Sequence, residues 1–397
     1  MSMRLVAPMA PRDPDEAHRA STPLELFLDL TFVVAIAQAS SSLHHGLVDG
    51  HAGEVLVAFP FAFFAIWWAW MNFTWFASAY DTDDAIYRLA VFVQMVGVLI
   101  LAAGMPRVFA EQDYAIGVVG YVVMRLAMVG QWLRAASAHP AGRRCAHRYA
   151  LGIALLQMGW VLRLALPDTA GYVAFFVLGA AELAIPLWAE ASGRTTWHPR
   201  HIAERYGLFT IIVLGESVLA ATLGVQAALD ADSSLGDVAP VIVGGLLIVF
   251  SMWWVYFDMP GEAAVERVRV AFAERLTAPF LWGYGHYFVF AGAAATGAGL
   301  AVAVDQAVGH SALSDLEAGF TITVPVTVYL VSVWLIHRRH KPPSRLNTYA
   351  VPVIVVLILA ASFTPQPALV TGLVGAALVA AHVVVTTTAR ADVIRQS

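Results

Sequence analysis

Apolar stretches of about twenty residues recur along the whole chain, separated by short polar segments. A helix that crosses the hydrocarbon core of a bilayer needs about 20 mostly apolar residues. Stretches of this kind lie at about 24–46, 55–78, 85–106, 114–137, 147–166, 171–190, 203–225, 238–258, 278–304, 318–337, 348–364 and 368–389. The pattern predicts an all-α, polytopic membrane protein of about twelve transmembrane helices.

The composition favours the same class. Of the 397 residues, 59% are hydrophobic and only 13% are charged, which is too little charge to cover a soluble domain of this size. The single cysteine, Cys145, excludes an intrachain disulfide. The polar segment 1–23 is predicted to be a disordered tail. The first apolar stretch is predicted to be helix one rather than a secretory signal, because it contains Asp29 and further spans follow it.

The basic residues are distributed unevenly between the two sides of a twelve-span arrangement. Twenty of the 23 Lys and Arg residues fall on the side of the N-terminus, two fall on the other side, and Arg125 falls inside a helix. Because cytoplasmic loops carry an excess of Lys and Arg, this distribution predicts that both termini are cytoplasmic. The loops on the opposite side are acidic, with Asp230, Asp232, Asp237, Asp305, Asp315 and Glu317.

The two halves of the chain share short patterns in the same order. The matching pairs are Phe64-x-x-Trp67-Trp68 with Phe250-x-x-Trp253-Trp254, Trp132-Leu133 with Trp334-Leu335, and Tyr149-Ala150 with Tyr349-Ala350. They predict two parallel six-helix repeats, related by an axis along the membrane normal. The alternative is that Trp residues near helix ends form an interfacial aromatic belt. That alternative accounts for Trp70, Trp75 and Trp132, but it does not account for the matched spacings.

This organisation divides the chain into consecutive segments. We predict a disordered cytoplasmic tail at 1–23, a first six-helix half at 24–190, a cytoplasmic linker at 191–202, a second six-helix half at 203–389 and a cytoplasmic tail at 390–397. Within the second half, segment 262–276 mixes glutamate, arginine and apolar residues. It is predicted to be an amphipathic helix on the cytoplasmic membrane surface.

Two segments resemble the signatures of the bacterial low temperature requirement A protein family. The first is Glu25-Leu26-Phe27-Leu28-Asp29-Leu30-Thr31-Phe32-Val33, and the second is His201-Ile202-Ala203-Glu204-Arg205-Tyr206-Gly207-Leu208-Phe209, which continues to Leu214-Gly215-Glu216-Ser217. The stretch Gly283-Tyr284-Gly285-His286 also fits. The resemblance covers essentially the whole chain and implies an integral protein of the bacterial inner membrane. It implies no substrate and no reaction, so it assigns no catalytic residues.

Three charged residues lie near the predicted membrane midplane: Arg125, Glu182 and Glu216. A charge at that depth costs at least ~2.5–3.5 kcal/mol, so each one needs a partner or a function. One arginine cannot neutralise two separate carboxylates, and the pairing of Arg125 with either glutamate stays open. We predict that at least one of these carboxylates handles protons or cations, and purely structural pairing is the alternative.

A second group of polar residues lies towards the predicted cytoplasmic face. Glu25 and Asp29 are one helical turn apart; Asp29 is predicted to line a cation-attracting vestibule, whereas helix capping suits Glu25 better. His201, Glu204 and Arg205 begin helix seven, where capping and loop anchoring are favoured, since two ligands do not make a metal site. Two further candidates are Asp258, at the end of helix eight, and His286, which is either a proton relay or a satisfied hydrogen bond.

The sequence contains no phosphate-binding loop and no protease or esterase motif, and it predicts no metal, no cofactor and no nucleic-acid partner. The predicted partners are the lipid bilayer and a small solute or ion, and an oligomer is compatible with the sequence. The leading hypothesis is a secondary transporter or permease, with proton coupling through midplane carboxylates left open. The alternatives are a structural, sensing or assembly protein, and an intramembrane lipid-modifying enzyme.

Overall fold

The structure is a computed structural model that describes residues 4–16, 19–230, 235–258, 278–338 and 345–396. Within these residues the chain is entirely helical and forms twelve helices. They are α1 (Pro23–Val48), α2 (Ala52–Tyr80), α3 (Ala85–Ala110), α4 (Ala115–Ala138), α5 (Arg143–Arg163), α6 (Asp168–Glu190), α7 (Pro199–Asp230), α8 (Leu235–Phe257), α9 (Ala278–Ala307), α10 (Asp315–Arg338), α11 (Arg345–Ala361) and α12 (Pro367–Gln396). Each predicted apolar stretch corresponds to one of them, so the prediction of an all-α chain is confirmed.

Nine of the helices in the described ranges are long and apolar enough to cross a membrane. The other three are α5, α7 and α11, and each has a reason in its sequence. Helix α5 begins with Arg143, Arg144 and Arg148, and α7 carries charged residues in its first two turns. The described apolar part of α11 is short, at Ala350–Ala361. The described residues therefore form twelve helices, of which nine have the length and hydropathy of a membrane span.

Local sequence signals start several of these helices. The Thr22-x-x-Glu25 pattern forms a capping box at α1, because the Thr22 N–H donates to Glu25 Oε2 at 2.7 Å and the Glu25 N–H donates to Thr22 Oγ1 at 3.3 Å. Asp84 caps α3 by accepting from the Tyr87 N–H. Side-chain caps of this kind satisfy backbone N–H groups that have no partner inside the helix.

The chain divides into two compact units, and α1, α2 and α7 each contribute to both. Unit 1 comprises Met1–Ala39, Val57–Phe209 and Ala271–Ala278, and unit 2 comprises Ser40–Leu56, Thr210–Val270 and Pro279–Ser397, over the described residues of these ranges. Unit 1 thus contains most of α2 and all of α3 to α6, and unit 2 contains α8, α9 from Pro279 onward, and α10 to α12.

Within unit 1 the helices pack in a defined order of neighbours. Helix α3 packs on α4, α4 on α5 and α5 on α6. The contact of α3 with α4 depends on small residues, because a side chain at Gly97 or Gly104 would collide with the α4 backbone. Helix α2 reaches α6 through aromatic rings, with the centroids of Phe61 and Phe175 4.3 Å apart.

Within unit 2 the neighbours follow the same order. Helix α10 packs on α11, α11 on α12, and α8 on α12. Helix α9 packs on α10 through Gly292 and Gly299, where an added side chain would collide with the α10 backbone. The two glycines are seven residues apart, as are Gly97 and Gly104 in α3.

The N-terminal segment, which is predicted to be a disordered tail, packs against the helices of unit 1. Residues 4–16 and 19–22 lie against unit 1: the Arg12 N–H donates to the Ala79 carbonyl at 2.9 Å, and the Ala7 N–H donates to Asp84 Oδ2 at 2.6 Å. Arg134 contacts both the Ala7 carbonyl and Asp84. The side chain of Met9 is fully buried. The segment is ordered because its backbone groups and one apolar side chain find partners in α2, α3 and α4.

Two of the tryptophans that an interfacial aromatic belt would account for are buried instead. Trp70 and Trp132 are buried in unit 1. Trp70 stacks on Phe209 with a centroid distance of 4.1 Å, and Trp132 stacks on Tyr149 at the same distance. An interfacial tryptophan would present its ring to lipid headgroups, whereas these two rings pack inside the unit. The predicted amphipathic helix at 262–276 and the predicted acidic loop residue Asp232 lie outside the described residues.

Candidate functional site

The first turns of α1 and α7 bring buried charged side chains together in unit 1. Asp29 and Arg205 form an ion pair with 2.6 Å between Oδ1 and Nη2, and both side chains are fully buried. The indole N–H of Trp70 in α2 donates to the same Asp29 oxygen at 2.7 Å. Such charge-assisted hydrogen bonds are stronger than neutral ones, so Asp29 ties α1 to both α2 and α7.

One helical turn before Asp29, Glu25 makes a second set of charged contacts. Its Oε1 lies 3.2 Å from His201 Nε2 and 3.7 Å from Arg19 Nη2. Arg19 also approaches Asp81 in the loop after α2, with 3.6 Å between Nη1 and Oδ2, and donates from Nη2 to the Ala77 carbonyl at 2.9 Å. Glu25 therefore both caps α1 and joins a network of charges.

We call this set the charge network; its members are Arg19, Glu25, Asp29, Asp81, His201 and Arg205. None of the six side chains is more than 6% exposed. When every acid is ionised, three carboxylates face two guanidinium groups, which leaves one negative charge if the imidazole is neutral. A proton on the imidazole, or on any one of the carboxylates, makes the network neutral. Because an uncompensated buried charge is costly, the network has a physical reason to hold one proton.

Asp81 lies in the loop between α2 and α3, where its ionisation is shifted towards neutrality. Burial, reinforced by the nearby negative charge of Glu25, raises the pKa of Asp81 to about 6 although Arg19 opposes the shift. A carboxyl group with such a pKa changes its protonation in the physiological range.

Several polar atoms of the network have no hydrogen-bond partner among the described residues. They are Arg19 Nε, Glu25 Oε1, Asp29 Oδ2, His201 Nδ1, and Nε and Nη1 of Arg205. The network thus retains donors and acceptors beyond its internal pairs. Over the part of the chain that the structure describes, no three His, Cys, Asp or Glu side chains converge on a metal site.

A second buried charge lies among α2, α4, α5 and α6. The carboxylate of Glu182 on α6 is fully buried and accepts from five side chains. Its donors are Trp68 at 2.8 Å, Arg125 at 2.9 Å, Tyr121 at 3.0 Å, Trp160 at 3.3 Å and Gln157 at 3.4 Å. We call this arrangement the Glu182 cage. Multiple donors stabilise the ionised form of a carboxylate, and the Arg125 guanidinium balances its charge.

An apolar cavity of about 60 Å³ adjoins the cage. Tyr121 and Trp160, which both donate to Glu182, form part of its wall. The rings of Phe61, Phe64 and Phe175 line the remainder. The cage is therefore enclosed by aromatic side chains and helix backbone, with little polar surface towards the cavity.

The predicted site residues of unit 2 occupy separate places. Glu216 in α7 is half-buried, and the next residue, Ser217, packs against Gly297. His286 is buried in α9; its Nδ1 lies 2.8 Å from the Trp282 carbonyl, and its Nε2 lies 3.1 Å from the Tyr256 hydroxyl. A carbonyl can only accept, so Nδ1 carries a proton, and in the neutral imidazole Nε2 accepts from the Tyr256 hydroxyl.

Two further candidates lie nearer to helix ends. Asp258 pairs with His382 of α12, with 2.8 Å between Oδ2 and Nε2. Glu204, which belongs to unit 1, is exposed and accepts from the Ser21 N–H at 3.2 Å. This contact joins the segment before α1 to the start of α7, and the anchoring role of Glu204 stays a prediction.

Of the ten predicted site residues, the structure places Glu25, Asp29, His201 and Arg205 in one site and Arg125 with Glu182 in another. Three members or neighbours of the charge network were not predicted. Arg19 lies in the segment taken for a disordered tail, Asp81 lies in a polar loop, and Trp70 was interpreted as part of the aromatic belt. The capping box at Thr22 and Glu25 was the available signal, because it fixes the path by which the preceding residues enter α1.

The helices and their buried charges define a multi-pass α-helical membrane protein of bacteria. The chain belongs to the bacterial low temperature requirement A protein family, whose sequence profile matches residues 20–387. This match confirms the resemblance carried by the first turns of α1 and α7, and it includes every residue of the charge network except Arg19.

The comparison with curated proteins gives one relative. The uncharacterized protein RA0937 of Rhizobium meliloti (strain 1021) is 28% identical over 306 residues, which cover 71% of this chain and 68% of that protein. No solved structure matches the chain.

Proposed function

We propose that the protein is a secondary transporter or permease for a small solute or ion, and that a proton held by the charge network is coupled to the movement of that solute. The observation that carries the proposal is the charge balance of this network. Three carboxylates, two arginines and one histidine are enclosed together, and their sum changes from minus one to zero with a single proton. Buried ionisable residues of membrane helices are typical of proton relays and ion pathways.

The geometry favours the charge network, rather than Glu182 or Glu216, as the proton site. The Glu182 cage supplies five donors to one carboxylate, including a guanidinium, so a proton arriving there would displace existing hydrogen bonds. By contrast, His201 has an unpartnered Nδ1 and faces Glu25 through Nε2. Burial lowers the pKa of the His201 imidazole, and the hydrogen bond with Glu25 opposes this shift. A proton taken up at Nδ1 would displace no hydrogen bond among the described residues. Glu216, half-buried in α7, remains a proposed second proton or cation site.

The membrane arrangement that we propose is twelve spans with both termini in the cytoplasm of the bacterial inner membrane. The excess of Lys and Arg on one side supports it. Two parallel six-helix repeats form part of the proposal, because consecutive helices pack on each other in α3 to α6 and in α9 to α12, and α2 meets α6 as α8 meets α12. Paired glycines seven residues apart in α3 and in α9, each packed on the next helix, add to this support.

One observation favours the alternative of a structural, sensing or assembly protein. The Glu182 cage ties four helices through a single carboxylate, which is what a static structural element needs. A lipid-modifying enzyme has less support. Its acids and histidine would have to reach a lipid, whereas the side chains of the charge network are enclosed in the described conformation.

The test is proton movement in liposomes that contain the purified protein. Sodium, potassium, and panels of amino acids and sugars are added outside, and an internal pH-sensitive dye reports protons. We expect one solute class to drive proton movement in the wild type, and we expect His201→Gln to abolish it. His382→Gln is the matched control, because it alters another histidine–carboxylate pair, in unit 2.

Two results would contradict the proposal. If every solute leaves internal pH unchanged in the wild type while His201→Gln only lowers the unfolding temperature, the network is structural, and the sensing or assembly alternative takes precedence. If His382→Gln abolishes proton movement and His201→Gln does not, the coupled proton lies in unit 2 instead.

A further inference from the structure

A basic groove lies on the surface of unit 1 where α5 begins. It encloses about 530 Å³ and is bounded on one side by the first two turns of α5 and on the other by Trp188 of α6. Four of its lining residues can be cationic: Arg143, Arg144, His147 and Arg148. They fall within six consecutive positions of the chain, so the groove concentrates basic side chains at one helix end.

In the part of the chain that the structure describes, no carboxylate forms an ion pair with these four side chains. Among the described residues, none of the four basic side chains lies within 4.0 Å of an acidic side chain. Glu190, at the end of α6, accepts instead from Thr195 Oγ1 at 2.6 Å and from the Tyr149 hydroxyl at 3.2 Å. The start of α5 adds to the field, because Gly142 at the N-cap provides no side-chain cap and the helix dipole is positive there.

Two of the arginines are held in place by their own hydrogen bonds. Arg143 Nε donates to the Ala136 carbonyl at 3.1 Å, and Arg148 Nη1 donates to the Trp188 carbonyl at 2.8 Å. The Arg148 guanidinium also lies over the Trp188 ring, 5.1 Å from its centroid. Arg144 and His147 are exposed and make no such contact among the described residues. The groove thus combines two oriented guanidinium groups with two exposed basic side chains.

The groove continues into apolar surface. Leu151, one turn further along α5, is 54% exposed, and Trp188 is 45% exposed. A ligand that fills the groove would therefore meet charge at the helix end and apolar side chains along the helix. A charged surface followed by an apolar one matches an amphiphile with an anionic head. A soluble anion would contact only the charged end of the groove.

We propose that this groove binds the phosphate headgroup of an anionic phospholipid, with the acyl chains against Leu151 and Trp188. Basic pockets between membrane helices bind such headgroups through several Lys or Arg side chains. Membrane orientation alone requires only that basic residues lie on the correct side. It does not require a concave surface, oriented guanidinium groups or an exposed tryptophan beside them. The inference is independent of the proposed transport function.

The test is native mass spectrometry of the full-length protein, exchanged from detergent into defined lipid. The probes are phosphatidylglycerol, phosphatidylcholine and, as a soluble anion, inorganic phosphate. We expect phosphatidylglycerol to remain bound when phosphatidylcholine has been removed. We expect Arg144→Gln to weaken its binding about fivefold, and Arg144→Gln with His147→Gln to weaken it further. Both side chains are exposed, so the variants should fold, which a single symmetric gel-filtration peak will verify.

The matched control is Arg200→Gln, because Arg200 is an exposed arginine of unit 1 outside the groove. It should leave phosphatidylglycerol binding unchanged. Equal weakening by Arg200→Gln and Arg144→Gln would overturn the proposal, since it would show attraction to positive charge in general. Binding of inorganic phosphate that displaces phosphatidylglycerol from the groove would also overturn it, because the ligand would then be a soluble anion. Equal retention of phosphatidylcholine would remove the role of the headgroup.

Discussion

The two buried charge sites of unit 1 compensate their buried charges in different ways. In the Glu182 cage, one carboxylate receives five donors, and one guanidinium balances its charge. In the charge network, six ionisable groups share incomplete pairings and leave one negative charge to be met by a proton. Both sites are enclosed, so burial does not separate them. What separates them is whether the charges balance without a proton.

This difference assigns different roles to the two sites. A carboxylate whose charge is balanced and whose oxygens accept from four helices can hold those helices together. An unbalanced network responds to pH, and its neighbours must adjust when the proton moves. We therefore expect substitutions in the cage to change stability and substitutions in the network to change proton uptake and release.

The largest expected effect is that of Glu182→Gln. The substitution leaves Arg125 buried without its counter-charge, which should cost about 3–5 kcal/mol of unfolding free energy. Chemical unfolding in detergent micelles measures the loss. Arg125→Met with Glu182→Leu is the companion variant, and it should recover much of the loss because no buried charge remains. Wild-type stability of Glu182→Gln would show that the cage does not hold the unit together.

A smaller loss is expected for Asp29→Asn. The amide keeps an acceptor for the Trp70 N–H but removes the charge opposite Arg205. We expect a loss of about 3 kcal/mol, near the lower end for a broken buried pair, because Glu25 still supplies negative charge one turn away. Glu204→Gln is the control, since this carboxylate is exposed. Equal losses in the two variants would contradict a special role for the buried pair.

The pH dependence of stability tests Asp81. Its pKa in the folded protein is raised to about 6 from 3.8, so folding favours the protonated form. The corresponding stabilisation is complete below pH 3.8 and is lost as pH rises through about 6. The unfolding free energy of the wild type, relative to Asp81→Asn, should fall by about 3 kcal/mol across this window. Parallel pH profiles for the two proteins would show that Asp81 is not shifted.

The smallest effect is expected at the capping box. Thr22→Val removes the hydroxyl that accepts from the Glu25 N–H and should cost about 1 kcal/mol. Glu25 then keeps its contact with His201 but loses part of its positioning. A loss above that of Asp29→Asn would mean that the N-terminal segment, rather than the ion pairs, dominates the stability of the network.

Most of the fold was accessible from the sequence because the bilayer sets the length of each helix. Twelve apolar stretches gave twelve helices in the described residues, with ends within a few residues. The Asp29–Arg205 pair was less accessible. Both residues stood out as charges beside apolar stretches, but they are 176 positions apart, and one sequence carries no information on which distant charges meet. Likewise, it left open whether Arg125 binds Glu182 or Glu216.

Arg19, Asp81 and Trp70 could not be found by the same reasoning. A charged residue is conspicuous only against apolar neighbours, and both Arg19 and Asp81 lie in polar segments. Trp70 lies in the second half of the second apolar stretch, and tryptophan is common at membrane interfaces. Its role depends on the position of Asp29 in another helix. Members of a site that lie outside the apolar stretches therefore need a structure to be recognised.

The most direct test of the account compares the two sites in one assay of proton movement. Proteoliposomes with His201→Gln are compared with proteoliposomes that contain the Arg125→Met and Glu182→Leu double variant, after both proteins have been shown to be folded. The account predicts that the double variant retains solute-driven proton movement and that His201→Gln loses it. Loss of proton movement in the double variant, with normal movement in His201→Gln, would contradict it and would place the coupled proton at Glu182.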